Sequence, residues 1–270
     1  MLRERVLTAL VLLPIFTVSV VAGGVWYWGA VLLTLSIAGW EWGRLFGQPG
    51  FTGSLAGVLG LIWVILLNVY APDLNVAGPG VVLLLTLTLL QVVVRTGRGY
   101  LHPENSFMVA LAGGLYLGWM GMHLVMLRNL PDGLYWTLTV LPAVFAADSW
   151  AYICGRLFGR RKLAPRISPN KTWEGYLAGI VGAVLTTGLL AVLWSTLGVR
   201  ATFVDGALIG LAVGTLSVLG DLGISAFKRL RGVKDASKLL PGHGGVLDRL
   251  DTVLVGGALG YYYVLWFVIA

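Results

Sequence analysis

Charge is what this sequence has least of. Asp, Glu, Lys and Arg make up 11% of its 270 residues, against roughly 25% in an average soluble domain. That scarcity excludes an ordinary water-soluble domain, and a mean hydropathy of +0.85 points the same way. Cysteine is almost absent. The single Cys154 excludes an intramolecular disulfide and says little about redox compartment. Long polar stretches are missing too. The two longest run from Gly155 to Glu174 and from Lys228 to Arg249, so no separate soluble domain is expected.

What is plentiful is apolar surface. Hydrophobic residues make up 57% of the chain, and there are 38 glycines, a residue more frequent in membrane helices than in soluble ones. A spanning helix needs about 20 mostly apolar residues. Nine stretches qualify, near 6–23, 25–43, 54–71, 78–95, 108–127, 134–155, 175–197, 204–224 and 249–269. The expected fold class is therefore all-α, a polytopic membrane protein with about nine transmembrane helices. Residues 1–130 would hold about five spans. Residues 131–270 would hold about four, with two basic loops that carry the chemistry. The start, MLRER and then an apolar run, looks like a signal peptide. No clear cleavage site follows, and another apolar run begins at once, so it is read as a retained first span.

The net charge of +7 must sit in the loops. A basic balance can mean nucleic acid, lipid headgroups or nucleotide phosphates. With nine spans, every Lys and Arg except Arg128 and Arg200 falls on one side, 17 of the 19. The positive-inside rule then puts the N-terminus and those loops in the cytoplasm.

Three polar segments break the apolar pattern, and ionisable residues at span ends are expensive and usually functional. The first runs Asp148-Ser149-Trp150-Ala151-Tyr152 and on through Gly155 to Gly159. Its plain reading is a helix-packing seam, because glycines four apart share a helix face. The second is Ser168-Pro169-Asn170-Lys171-Thr172-Trp173-Glu174-Gly175. Hydroxyls, a lysine and free N–H groups at a helix start suit a phosphate, although Thr172 and Glu174 would equally suit capping. The third holds Asp221, Ser225, Lys228, Arg229, Lys234, Asp235, the loop Gly242-His243-Gly244-Gly245, and Asp248-Arg249-Leu250-Asp251. Asp221 and Ser225 share a helix face, as do Asp248 and Asp251. Carboxylates at two span ends make a hard oxygen site of the kind that holds Mg²⁺ with substrate phosphates. Taken alone, the basic run could instead be a juxtamembrane segment that contacts anionic lipid.

The stretch Ser225 to Asp251 resembles the signature of phosphatidate cytidylyltransferases, the CDP-diacylglycerol synthase family. The pattern is matched through Ser225, Phe227, Lys228, Arg229, Lys234, Asp235, Ser237, Leu240, Pro241, His243, Gly244, Gly245, Val246, Asp248, Arg249, Leu250 and Asp251. The segments around Asp148 and Lys171 also look like family elements, with Asn170 where a lysine is expected. The N-terminal half matches only in length, hydropathy and span count.

The resemblance implies a membrane enzyme, usually a homodimer, that joins CTP to phosphatidic acid at the cytoplasmic face of the plasma membrane. No nucleic-acid partner is implied. It makes Asp221 and Asp248 the metal ligands, with Mg²⁺ expected and room for a second cation such as K⁺. Lys228, Arg229 and His243 join those aspartates as catalytic candidates. Ser168, Lys171, Thr172, Glu174, Asp148, Ser225, Lys234, Asp235, Gly244, Gly245, Arg249 and Asp251 are the substrate-binding candidates. The rival class is a transporter, which would hold its charges near the bilayer midplane, often with repeat symmetry. A CTP-dependent lipid kinase, or a cytidylyltransferase for another phospholipid, is the other alternative.

Overall fold

The computed structural model describes residues 2–46, 52–242 and 244–269, with side chains at 10, 12–46, 54–242 and 244–269. His243 lies outside the described residues. The helices are α1 (Leu2–Ala22), α2 (Gly24–Phe46), α3 (Thr52–Tyr70), α4 (Ala77–Gly97), α5 (Glu104–Asn129), α6 (Gly133–Phe158), α7 (Trp173–Thr196), α8 (Phe203–Leu216), α9 (Val218–Leu230) and α10 (Leu247–Tyr263). A π-helical stretch, Gly114–Trp119, lies inside α5, and another, Val264–Ile269, prolongs α10.

Eight of the nine apolar runs fall on one helix each, and the run near 204–224 is divided between α8 and α9 at Ser217. Six helical segments of the described residues are long and apolar enough to cross a membrane. These are α4, α5, α6, α7, the near-continuous pair Phe203–Leu230 and the run Leu247–Ile269. The protein is therefore a predominantly helical, multi-pass membrane protein. α4 shows what that means physically. Only Thr88 of it is buried, while Val82, Leu83, Leu87, Leu90 and Val93 are exposed. An apolar surface of that extent is stable against acyl chains and a liability in water.

The chain divides into two compact units, residues 1–125 with 235–248, and residues 126–234 with 249–270. In the first unit, α2 turns Tyr27, Val31, Leu35, Ala38 and Trp42 inward, a helical repeat of threes and fours. Gly39 packs on Val58, Leu59 and Ile62 of α3, and Gly57 of α3 packs on Ala110 of α5. The Trp42 indole donates to the Val109 carbonyl at 3.1 Å. Gly23 and Gly24, at φ +65° and +48°, make the turn between α1 and α2 in the left-handed region that glycine tolerates.

The second unit is held by small-residue seams. Glycines 175, 179 and 182 of α7 lie against Ala147, Trp150 and Ala151 of α6. Glycines 206, 210 and 214 of α8 lie against Ile180, Ala183 and Thr187 of α7. Such spacing lets backbones approach closely where no hydrophobic effect drives helices together. Gly155 of α6 belongs to the first seam, beside Thr172 and Gly175, as the plain reading of that segment anticipated.

The all-α class fits, with one short addition. Residues 155–174 do not form an open loop: β1 (Lys162–Ala164) and β2 (Ser168–Thr172) pair as an antiparallel hairpin, with Lys162 opposite Thr172 and Ala164 opposite Ser168. The pairing satisfies backbone groups of both strands, and beside it the Trp173 N–H at the start of α7 donates to the Arg161 carbonyl at 2.9 Å.

Candidate active site

The charged residues of the second unit converge. Lys171 leaves β2 and places its Nζ 2.6 Å from Oδ2 of Asp221, in the first turn of α9. Ser225, one turn further along α9, donates to Oδ1 of the same carboxylate at 3.0 Å. The Asp221 and Lys171 side chains are 29% and 23% exposed, so the pair is shielded but within reach of a ligand. Lys228 is buried on α9, with its charge within electrostatic reach of Asp221 and Asp251. Asp148, in the C-terminal half of α6, is exposed and interacts electrostatically with Lys171, Asp221 and Arg249. Asp251 is buried on α10 and feels both Asp148 and Asp221. Its Oδ1 accepts the Thr252 N–H at 2.8 Å. Seven predicted residues thus form one cluster: Asp148, Lys171, Asp221, Ser225, Lys228, Arg249 and Asp251. Three carboxylates interleaved with three cations are suited to binding a polyanion together with a cation.

Other predicted residues have structural work in the same unit. Thr172 is the N-cap of α7, its hydroxyl accepting the Gly175 N–H at 3.2 Å. Glu174 accepts the Arg160 N–H at 3.0 Å and the Arg161 N–H at 3.2 Å, which ties the hairpin to α7. Thr172 fits the capping reading of this segment, whereas Glu174, in the first turn of α7, accepts from residues before the hairpin. Ser168 pairs with Ala164 at the far end of the hairpin. Arg229 donates from Nε to the Ile167 carbonyl and from a terminal nitrogen to the Val233 carbonyl, both at 3.3 Å. Lys234 is exposed.

The remaining signature residues belong to the first unit. Oδ2 of Asp248 accepts the N–H groups of Ala236 at 2.9 Å and Gly245 at 3.0 Å, and this fixes the carboxylate at the start of α10. Leu240 and Gly244 exchange two backbone hydrogen bonds across the loop, at 2.9 and 3.1 Å. Gly244 has φ +83°, and a Cβ there would come 3.0 Å from Oδ2 of Asp248 and 3.5 Å from Asp235. Only glycine suits both demands.

Glu41 of α2 escaped the sequence reading. It is fully buried, and Ser237, Val246 and Leu247 all donate to its carboxylate. A lone carboxylate inside the apolar run 25–43 was the available signal, since such a charge persists only with partners.

Among the described residues, no group of three or more His, Cys, Asp or Glu side chains is placed to hold a metal by itself. Mg²⁺ does not need one, because it usually takes one or two carboxylates plus substrate phosphates and water. The donors here fit that habit. They are hard oxygens, and the Lys171 ammonium marks a cation position on Asp221.

The cluster, carried by α6, α9, α10 and β2, is suited to binding a phosphorylated ligand in a multi-pass helical protein. Comparison with known proteins narrows this to a family. A model described as "Cytidylyltransferase family" matches residues 3–267. The phosphatidate cytidylyltransferase of Pseudomonas aeruginosa is 39% identical over 94% of this chain and 93% of its own length. That of Haemophilus influenzae is 34% identical over the whole of both chains. That of Bacillus subtilis is 32% identical over 94% of each. The chain belongs to the cytidylyltransferase family.

Proposed function

We propose that the protein is a phosphatidate cytidylyltransferase. A phosphate oxygen of phosphatidic acid attacks the α-phosphorus of CTP. The bond from that phosphorus to the bridging oxygen breaks, pyrophosphate leaves, and CDP-diacylglycerol forms. The observation that carries the reading is the full-length likeness to relatives of that name. The cluster around Lys171 and Asp221 is what such chemistry requires. Transfer at phosphorus depends on alignment and charge neutralisation more than on covalent help.

Asp221 and Asp248 would hold Mg²⁺, with a second cation such as K⁺ as an addition. When bound, the metal neutralises phosphate charge and polarises the phosphorus under attack. The chain's own residues do the rest. Lys228, Arg249 and Lys171 balance the charge of the triphosphate and the lipid phosphate, and Lys234 and Arg229 add positive charge toward the same end. Ser225 orients Asp221, and the Ala236 and Gly245 N–H groups orient Asp248. The attacking oxygen is already anionic, so no strong base is needed, and His243 is assigned to orientation or a phosphate hydrogen bond. The working arrangement is a nine-span homodimer in the plasma membrane, with its N-terminus and active site cytoplasmic; the one-sided distribution of Lys and Arg supports that orientation.

The test is to incubate the purified protein with phosphatidic acid and CTP labelled on the cytidine. Label entering the lipid phase supports the proposal. Transfer only from γ-labelled CTP would mark a lipid kinase, and no transfer of either label would favour a transporter.

A further inference from the structure

Glu41 lies far from the signature in sequence, yet it holds the signature's backbone. A carboxylate withdrawn from water is costly unless donors replace the lost water. Three do, all from one segment. Ser237 Oγ at 2.5 Å and the Val246 N–H at 3.0 Å reach Oε1, and the Leu247 N–H at 2.6 Å reaches Oε2. Val246 and Leu247 lie at the start of α10, where the first N–H groups have no partner within the helix. That helix end also carries partial positive charge, which favours an anion. Glu41 therefore caps α10 from another helix.

The residue after this cap is Asp248. Its Oδ2 is held by the N–H groups of Ala236, which precedes Ser237, and Gly245, which precedes Val246. Gly245 is gripped from both directions. Its N–H goes to Asp248, and a Cβ on it would come 2.7 Å from Oε2 of Glu41. The same few backbone groups thus connect the buried Glu41 with the carboxylate at the helix start.

We infer that Glu41 is a positioning residue for the reaction: by fixing the segment from Ser237 to Leu247 it sets the Asp248 carboxylate, without touching substrate. The inference deepens the proposed function and rests on Asp248 serving the nucleotide chemistry. A pure packing role would be filled equally well by the isosteric amide. The positioning role would not. Val246 and Leu247 donate to different oxygens, so in either orientation the NH₂ of Glu41→Gln faces a backbone N–H.

The experiment compares full-length wild type, Glu41→Gln and Ser237→Ala, each purified in lipid nanodiscs. Hydrogen exchange is read across residues 236–247. Steady-state turnover of CTP with phosphatidic acid is measured against Mg²⁺ concentration. Glu41→Gln is expected to keep its elution profile and the exchange pattern of α6 and α7. Amides in 236–247 should exchange at least about tenfold faster. kcat should fall on the order of 100-fold, and half-saturating Mg²⁺ should rise about tenfold. Ser237→Ala removes one donor of three and should move the same quantities about fivefold.

Unchanged exchange in Glu41→Gln overturns the inference, as does faster exchange with wild-type kcat and Mg²⁺ dependence. If that variant does not fold, Ser237→Ala decides: unmoved exchange and kcat overturn it, and the expected shifts support it. A wild-type protein without transfer activity sinks the functional reading and the catalytic half of this inference. The exchange data would still judge whether Glu41 holds the segment.

Discussion

The Lys171 ammonium lies 2.6 Å from Oδ2 of Asp221, and Ser225 donates to the other oxygen of that carboxylate at 3.0 Å. The hairpin and α9 are joined by this contact. Lys171 read in the sequence as a phosphate contact and Asp221 as a metal ligand. Their pairing makes them two parts of one charge-balancing device. A partly buried pair of this kind is coupled, so the two residues should not behave independently. Lys171→Met and Asp221→Asn, made singly and together, should show an interaction energy of about 1 kcal/mol or more in unfolding free energy. Additive effects in a chemical-denaturation series in detergent would deny the coupling.

Loss of either proposed metal carboxylate should stop the chemistry and spare the fold. Asp221→Asn and Asp248→Asn keep the shape of the side chain and remove its charge. Each should lower kcat by at least about 100-fold, the scale of the several kcal/mol that a metal ion contributes. Membrane insertion and elution on size exclusion should stay as in wild type. Near-normal turnover in either purified variant would remove the metal assignment.

How much of this was open to sequence reading follows from which forces are local. Nine apolar runs could be seen because lipid demands about 20 apolar residues in a row, and all lie in helical segments, one of them divided between α8 and α9. The hairpin could not. Its strands are three and five residues long, Pro165 follows the first and Pro169 lies within the second, and no alternation of apolar and polar residues announces them. Thr172 and Glu174 were legible only as an ambiguity, since cap residues and phosphate binders are the same residue types. Asp221 and Lys171 were each picked out, but no spacing rule links a strand residue to a helix in another part of the chain. Glu41 was hidden for the same reason. All its partners lie at or beyond Ser237, and only tertiary structure brings them to it.

Metal dependence is checked most directly by removal. Treating the purified enzyme with a chelator should abolish cytidylyl transfer, and millimolar Mg²⁺ should restore it. Mg²⁺ exchanges from sites built of few carboxylates and phosphates, so recovery should be complete and fast. Full activity in excess chelator would rule out the proposed role of Asp221 and Asp248.

Glu174 gives a test of the hairpin itself. Its carboxylate accepts the N–H groups of Arg160 and Arg161. Both donors reach the same oxygen, Oε2, so the side-chain acceptor has to be removed altogether, as in Glu174→Ala. The lost hydrogen bonding is worth about 1 kcal/mol, which corresponds to roughly a fivefold rise in local opening. Trypsin should then cut at Arg160, Arg161, Lys162 and Arg166 about fivefold faster, as followed by mass spectrometry under limiting protease. Cleavage elsewhere should not change. Unaltered cutting at those four sites would mean that the strand pairing alone holds the hairpin.

The glycine seams make the last prediction, because they separate packing from composition. A Cβ on Gly179 would lie 2.6 Å from the Ala147 carbonyl oxygen and 3.1 Å from the Ala151 Cβ, so α6 and α7 would have to move apart. A Cβ on Gly29, a glycine of α2, meets nothing within 4 Å. Helix propensity favours alanine over glycine at both positions by up to about 1 kcal/mol. The two substitutions therefore share their intrinsic gain and differ in the contact they force. Gly179→Ala should be net destabilising, because overpacking against backbone costs about 1–3 kcal/mol. It should also loosen α6, which carries Asp148, and so lower activity. Gly29→Ala should be neutral or slightly stabilising. Thermal unfolding of both variants in the same detergent measures the difference. Equal midpoints would show that α6 and α7 can part without cost, and that the small residues along their contact do not set it.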